Sequence, residues 1–130
     1  MNILLLIARI LYSAVFIQAG IGHIFQPDEL ADYAKSKNVP FPKMSVIFTG
    51  LLNLLGGLSI LLGLWVNIGA WLLIVFLVPT AFIMHNFWVV DDPMQRQNEQ
   101  IHFLKDLSMA GAAYMIWYLY VVVQHAPLSL

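Results

Sequence analysis

Four apolar stretches dominate the chain, running from Ile3 to Ile24, Met44 to Leu64, Ile68 to Val90 and Ile101 to Val123. Each is close to the ~20 residues that an α-helix needs to cross ~30 Å of hydrocarbon. The runs are continuous and do not alternate, which selects helices over barrel strands, because a helix satisfies its own backbone groups in lipid. Of the 130 residues, 61% are hydrophobic and only 10% are charged, too few to coat a water-soluble globule. Six Lys and Arg against seven Asp and Glu give a net charge of −1 and no basic face for a nucleic acid. With no cysteine, the chain can form no disulfide, thiolate metal site or thiol relay of its own. These features predict an all-α integral membrane four-helix bundle, a single domain over residues 1–130 seated in the lipid bilayer.

Breakers punctuate the spans. Pro27, Pro40 and Pro42 fall in the first connection, Pro93 in the third and Pro127 after the fourth span. Pro79 lies inside the third span, where it frees a backbone carbonyl and kinks the helix. The first span has no basic segment before it, is interrupted by Arg9 and ends without an A-x-A site, so it reads as a retained helix rather than a signal peptide. The second connection, Trp65 to Asn67, is short enough to force a tight antiparallel hairpin. An even number of spans puts both termini on one side. Lys35, Lys37, Lys43 and Arg96 lie on the other side, with Lys105 just inside, so the positive-inside rule places connections one and three in the cytoplasm.

A faint repeat relates the two hairpins. Ala19-x-Ile21-x-His23-x-Phe25 recurs 62 residues later as Ala81-x-Ile83-x-His85-x-Phe87, and the same offset carries Lys43 onto Lys105. A duplicated hairpin would make spans one and three equivalent, with His23 and His85 at equal depth.

Polar groups inside apolar spans are the informative ones, since an ionisable side chain in hydrocarbon costs at least ~2.5 kcal/mol. At helical spacing, span one gathers Arg9, Tyr12, Ser13, Phe16, Gly20 and His23 on one face and leaves Gln18 on the other. Span two carries a small-and-polar stripe of Thr49, Asn53, Gly56, Gly57, Ile60 and Gly63, which reads as close helix packing with Asn53 as an interhelical hydrogen bond. Span three aligns Ala81, His85 and Trp88, and span four aligns His102, Asp106, Met109, Ala113 and Tyr120. His23, His85, His102 and Asp106 thus lie within one or two turns of the same membrane surface, while His125 is at the other end.

Three readings fit that cluster. It is an interfacial polar cap with Lys105 snorkelling, or a site where histidines and Asp106 exchange protons with a quinone beside Phe87 and Trp88. The third is a metal site of His23, His85, His102 and Asp106 for zinc or iron, if they converge on one ion; haem held by His23 and His85 is a variant. Arg9, at the opposite depth, either snorkels, makes a structural hydrogen bond, pairs with Asn53 or faces an anionic ligand. The candidate cofactor-binding set is therefore His23, His85, His102, Asp106, Trp88, Arg9 and Asn53.

Taken in order, several segments resemble the DoxX family of small four-helix bacterial membrane proteins. They are Arg9, Ala19-Gly20-Ile21-Gly22-His23, Val39-Pro40-Phe41-Pro42, Gly50-x-x-Asn53-x-x-Gly56-Gly57 with Leu62-Gly63, His85-Asn86-Phe87-Trp88, and Phe103-Leu104-Lys105-Asp106 leading to Gly111. One departure stands out: many members carry a glutamate where this chain has Asn53, so proton chemistry assigned to that carboxylate does not carry over. The resemblance implies a multi-pass protein of the bacterial inner membrane. Through members linked to quinone-coupled oxidoreduction, such as a subunit of a thiosulfate:quinone oxidoreductase, or to handling oxidative stress, it also implies a partner oxidoreductase subunit. A membrane subunit of this kind, not a stand-alone enzyme, is the first expectation. A non-catalytic binding or assembly protein is the second. A small-solute carrier working as a homo-oligomer is the third. The ~19-residue first connection, with Tyr33, Phe41 and three prolines, is expected to fold back as a lid over the histidine end.

Overall fold

The computed structural model describes residues 3–123; His125 and Pro127 lie outside them. Its helices are α1 (Ile3–Phe25), α2 (Pro27–Ser36), α3 (Pro42–Leu62), α4 (Val66–Met84) and α5 (Pro93–Trp117). A 3₁₀ turn at Phe87–Val89 joins the last two, and α5 runs on into a π turn at Tyr118–Val123. The long helices of this set give four segments long and apolar enough to cross a membrane. Among the described residues there is no strand.

Local chemistry explains the boundaries. Proline occupies the first turn of α2, α3 and α5, where its missing N–H would have had no helical partner. Asp28 and Glu29 favour the positive end of α2, and Lys35 favours its negative end. Asp92 caps α5, its carboxylate accepting from the Gln95 N–H at 2.9 Å. The α3–α4 hairpin turns on Gly63 at φ 70° and Trp65 at φ 48°. Trp65 pays the steric penalty of a left-handed residue, and Ser59 Oγ steadies the turn by donating to the Leu64 and Trp65 carbonyls.

Two boundaries differ from the sequence-based spans, and a helix joins them. The third membrane helix ends at Met84, which leaves His85 at its C-cap instead of about five residues inside. The fourth begins at Pro93, about two turns before Ile101. The first connection is no simple loop, since α2 occupies most of it. Its Ala31 and Ala34 pack on Val46 of α3, with Leu30, Val39 and Met84 around them.

Lipid tails are as apolar as leucine, so the spans are held by close packing and hydrogen bonds rather than by removal from water. Glycines set the approach. A Cβ on Gly20 would lie 2.8 Å from the Gly50 carbonyl oxygen and from the Leu54 nitrogen, so α1 and α3 touch backbone to backbone. Gly56 and Gly69 make room between α3 and α4, where an added Cβ would meet the Leu73 and Ser59 side chains first and the facing glycine's carbonyl next. The main core joins Phe16, Ile60, Leu73, Leu77, Ala110 and Ala113 from all four spans. Outside it, rings gather at each end of the α4–α5 pair: Trp71, Tyr114, Trp117 and Tyr118 at one, Phe82, Phe87, Trp88 and Phe103 at the other. Such paired belts suit the two interfaces of a bilayer.

Candidate functional site

At the loop-bearing end the helices separate around a cavity of about 490 Å³. Val15, Phe16 and Ala19 of α1, Phe48 and Leu52 of α3, Phe76 and Pro79 of α4 and Met109 of α5 give it apolar walls. Pro79 has no N–H to offer the Val75 carbonyl one turn below, and both residues border the space. Leu30, Tyr33 and Ala34 place α2 across its end. Polar groups enter at fewer points: the hydroxyls of Tyr33, Ser45, Thr49 and Thr80, and the ionisable His23, His85, Lys105 and Asp106.

His85 is the centre of this polar set. Leaving α4 at its C-cap, it turns toward α5, where each of its ring nitrogens meets a carboxylate. Nδ1 is 2.9 Å from Glu99 Oε2, and Nε2 is 3.5 Å from Asp106 Oδ2, an ionic contact longer than a good hydrogen bond. His102 stacks on the imidazole with ring centroids 5.1 Å apart. Glu99 in turn accepts from the Tyr33 hydroxyl at 3.0 Å, and that hydroxyl also lies 3.0 Å from the Met84 carbonyl. Tyr33, Glu99, His85 and Asp106 therefore form a continuous file from α2 to the cavity wall. Burial and the Glu99 carboxylate push the Tyr33 hydroxyl up to about 12, so it remains a donor through the neutral range. Lys37 Nζ donates to Asn86 Oδ1 at 2.8 Å and stands 5.7 Å above the Tyr33 ring, a second tie between α2 and the α4–α5 junction.

The seven candidate residues are distributed unevenly. His23, His85 and Asp106 border the cavity, and His102 backs His85. His23 is held on α3, with Nδ1 3.3 Å from the Val46 carbonyl and 3.2 Å from Thr49 Oγ1, and its ring meets Phe76 edge-on. Among the described residues, no three or more His, Cys, Asp or Glu side chains are placed to hold a metal ion together. Trp88 stands in the outer aromatic belt and does not line the cavity.

Arg9 and Asn53 lie elsewhere and take other parts. Arg9 is 4% exposed and does not snorkel. Its Nε donates to the Ile60 carbonyl at 3.1 Å and its Nη2 to the Leu61 carbonyl at 2.7 Å. These are terminal carbonyls of α3, which have no helical partners and lie at the negative end of the dipole. Asn53 is fully buried, yet neither its amide nitrogen nor its amide oxygen has a partner, so the expected interhelical bond is not made.

Glu99 is the residue that sequence reasoning does not reach; Tyr33 belongs to the connection expected over the histidine end, but its bond to Glu99 is not foreseen. Starting the last span at Ile101 left Glu99 in a loop. The signal was present: Asp92-Pro93 is an N-cap followed by a first-turn proline, and a helix begun there puts Glu99, His102 and Asp106 at i, i+3 and i+7 on one face.

Comparison with known proteins agrees with this architecture. The DoxX family model matches residues 4–86, from α1 to Asn86, the residue after His85. The inner membrane protein YphA of Escherichia coli (strain K12) is 31% identical over 110 residues, covering 85% of this chain and 78% of that protein. No solved structure matches. Four membrane-spanning helices, the family match and an inner-membrane relative lead to one identification: the chain is an integral inner-membrane protein and belongs to the DoxX family.

Proposed function

We propose that the protein is a membrane subunit of quinone-coupled oxidoreduction, with the quinone head group in the loop-end cavity and electrons supplied by a partner oxidoreductase subunit. The observation that carries this reading is His85, held between Glu99 and Asp106 on the wall of an apolar cavity. The residues fit such a ligand. A volume of about 490 Å³ lies within the ~300–1,000 Å³ usual for small-molecule sites, which are mostly apolar with a few placed polar groups. When bound, a quinone supplies two-electron chemistry coupled to proton uptake and release.

The chain's own residues handle the protons and the orientation. Lys105 offers an ammonium at the cavity wall as a donor to a carbonyl oxygen. His85 takes a proton at one ring nitrogen while releasing one from the other, so Glu99 on its outer side and Asp106 on its inner side become the two ends of one relay. Tyr33 closes the outer end by holding Glu99 and keeping α2 over the cavity. With connections one and three on the cytoplasmic side, the relay draws its proton from the cytoplasm.

The test is a titration of detergent-solubilised protein with a short-chain ubiquinone analogue. Saturable binding is expected, weakened at least ~10-fold, or ~1.4 kcal/mol, by His85→Ala while the helical circular dichroism is retained. Binding that is absent, or indifferent to both His85→Ala and Asp106→Asn, would leave a binding or assembly protein as the better reading.

A further inference from the structure

Gln18 is a polar side chain in lipid that nothing in the monomer explains. It lies seven residues before the end of α1, about 10 Å below the loop-bearing surface at ~1.5 Å per residue. Its side chain is exposed, and its carboxamide makes no hydrogen bond with the described residues. A short amide at that depth cannot reach the headgroups, and hydrocarbon offers it no partner. The surface around it is shaped to receive something. Ile10, Ala14 and Ile21 of α1 with Leu61 of α3 border a shallow groove of about 510 Å³ beside Gln18. One turn on, a Cβ added to Gly22 would meet nothing within 4 Å, so this glycine, unlike Gly20, serves no contact inside the chain.

We propose that this face of α1 seats a second copy of the chain, across a two-fold axis that brings the two Gln18 carboxamides together. A two-fold interface sets the same patch against itself. A carboxamide carries both donor and acceptor, so two identical ones satisfy each other with no other residue type required. The patch carries no charge, so two copies do not repel. Ala14 and Gly22, one turn to either side of Gln18, permit the close helix approach that such polar pairs need in lipid. The face is turned about 140° around α1 from His23, which leaves the cavity free in the dimer.

The absence of cysteine makes a direct test simple, because each introduced cysteine reports alone. Ala14→Cys and Ile21→Cys variants, which keep Gln18, are oxidised in native membranes, with Leu55→Cys and Met115→Cys at other exposed positions as controls. The proposal expects homodimer bands for the two α1 positions and none for the controls. Adding Gln18→Leu to the Ala14→Cys and Ile21→Cys variants should weaken dimerisation about 3- to 20-fold, the range for one interhelical polar contact. No dimer at the α1 positions, equal dimer at the controls, a crosslink to a different protein, or full crosslinking in the Gln18→Leu background would each overturn it.

Discussion

The bundle holds a buried Arg9 and a half-buried His85 at opposite depths, and they are handled in opposite ways. Arg9 is paired with backbone carbonyls, which only accept. His85 is paired with two carboxylates, and each of those can accept or return a proton. A guanidinium on helix-end carbonyls is a bracket between α1 and α3. An imidazole between carboxylates, at the edge of a cavity, has the partners that the proposed proton relay needs. Burial of a charged residue in a membrane span therefore does not identify function by itself; the chemistry of its partners does.

Breaking the bracket should have the largest effect on the fold. Arg9→Met leaves the Ile60 and Leu61 carbonyls without their charged donor, an expected loss of ~3 kcal/mol or more from two charge-assisted bonds. Reversible unfolding in mixed micelles would measure it. Arg9→Lys should recover only part, since an ammonium on a flexible stem does not reproduce the fork that spans two carbonyls.

Next in size are the glycine contacts. Gly20→Ala forces a Cβ to 2.8 Å from α3 backbone, and overpacking of this kind costs ~1–3 kcal/mol. Gly111→Ala, whose Cβ meets nothing within 4 Å, should stay within ~0.5 kcal/mol of the parent in the same assay. Equal losses at the two sites would refute the close-approach account of α1 and α3.

At the loop-bearing end, stability should change little while binding and the motion of α2 change more. Tyr33→Phe removes one hydrogen bond to Glu99, worth ~1 kcal/mol, and should raise hydrogen exchange in α2 ahead of the four spans. The smallest effect is a pH effect. The Tyr33 hydroxyl is raised from its ordinary 10.0 to about 12, so the support it gives the fold is complete below 10 and is lost as pH rises through about 12. The difference in tyrosinate absorbance between parent and Tyr33→Phe should show that late transition; a midpoint near 10 would contradict the contact.

The architecture was legible because hydropathy over ~20 residues is a long-range, redundant signal. Helix ends are not. Pro93 was read as a breaker although, after Asp92, it opens α5, and that shift alone hid Glu99 from the site. The depth of the histidines at one end came through, and so did the separation of Arg9 from them. What single-residue reading missed was partnership across helices. Asn53 has the character of an interhelical hydrogen-bonding group, but its buried amide has no partner. The faint repeat equated His23 with His85, yet one is anchored on α3 and the other faces α5.

The most direct test of the loop-end site is photolabelling with an azido-quinone analogue, followed by peptide mapping. The account predicts label on the segments around His23, Thr49, His85 and Lys105, removed by excess unlabelled analogue and lost in His85→Ala. Label on the outer faces of the spans alone, or label that the unlabelled analogue does not displace, would contradict it.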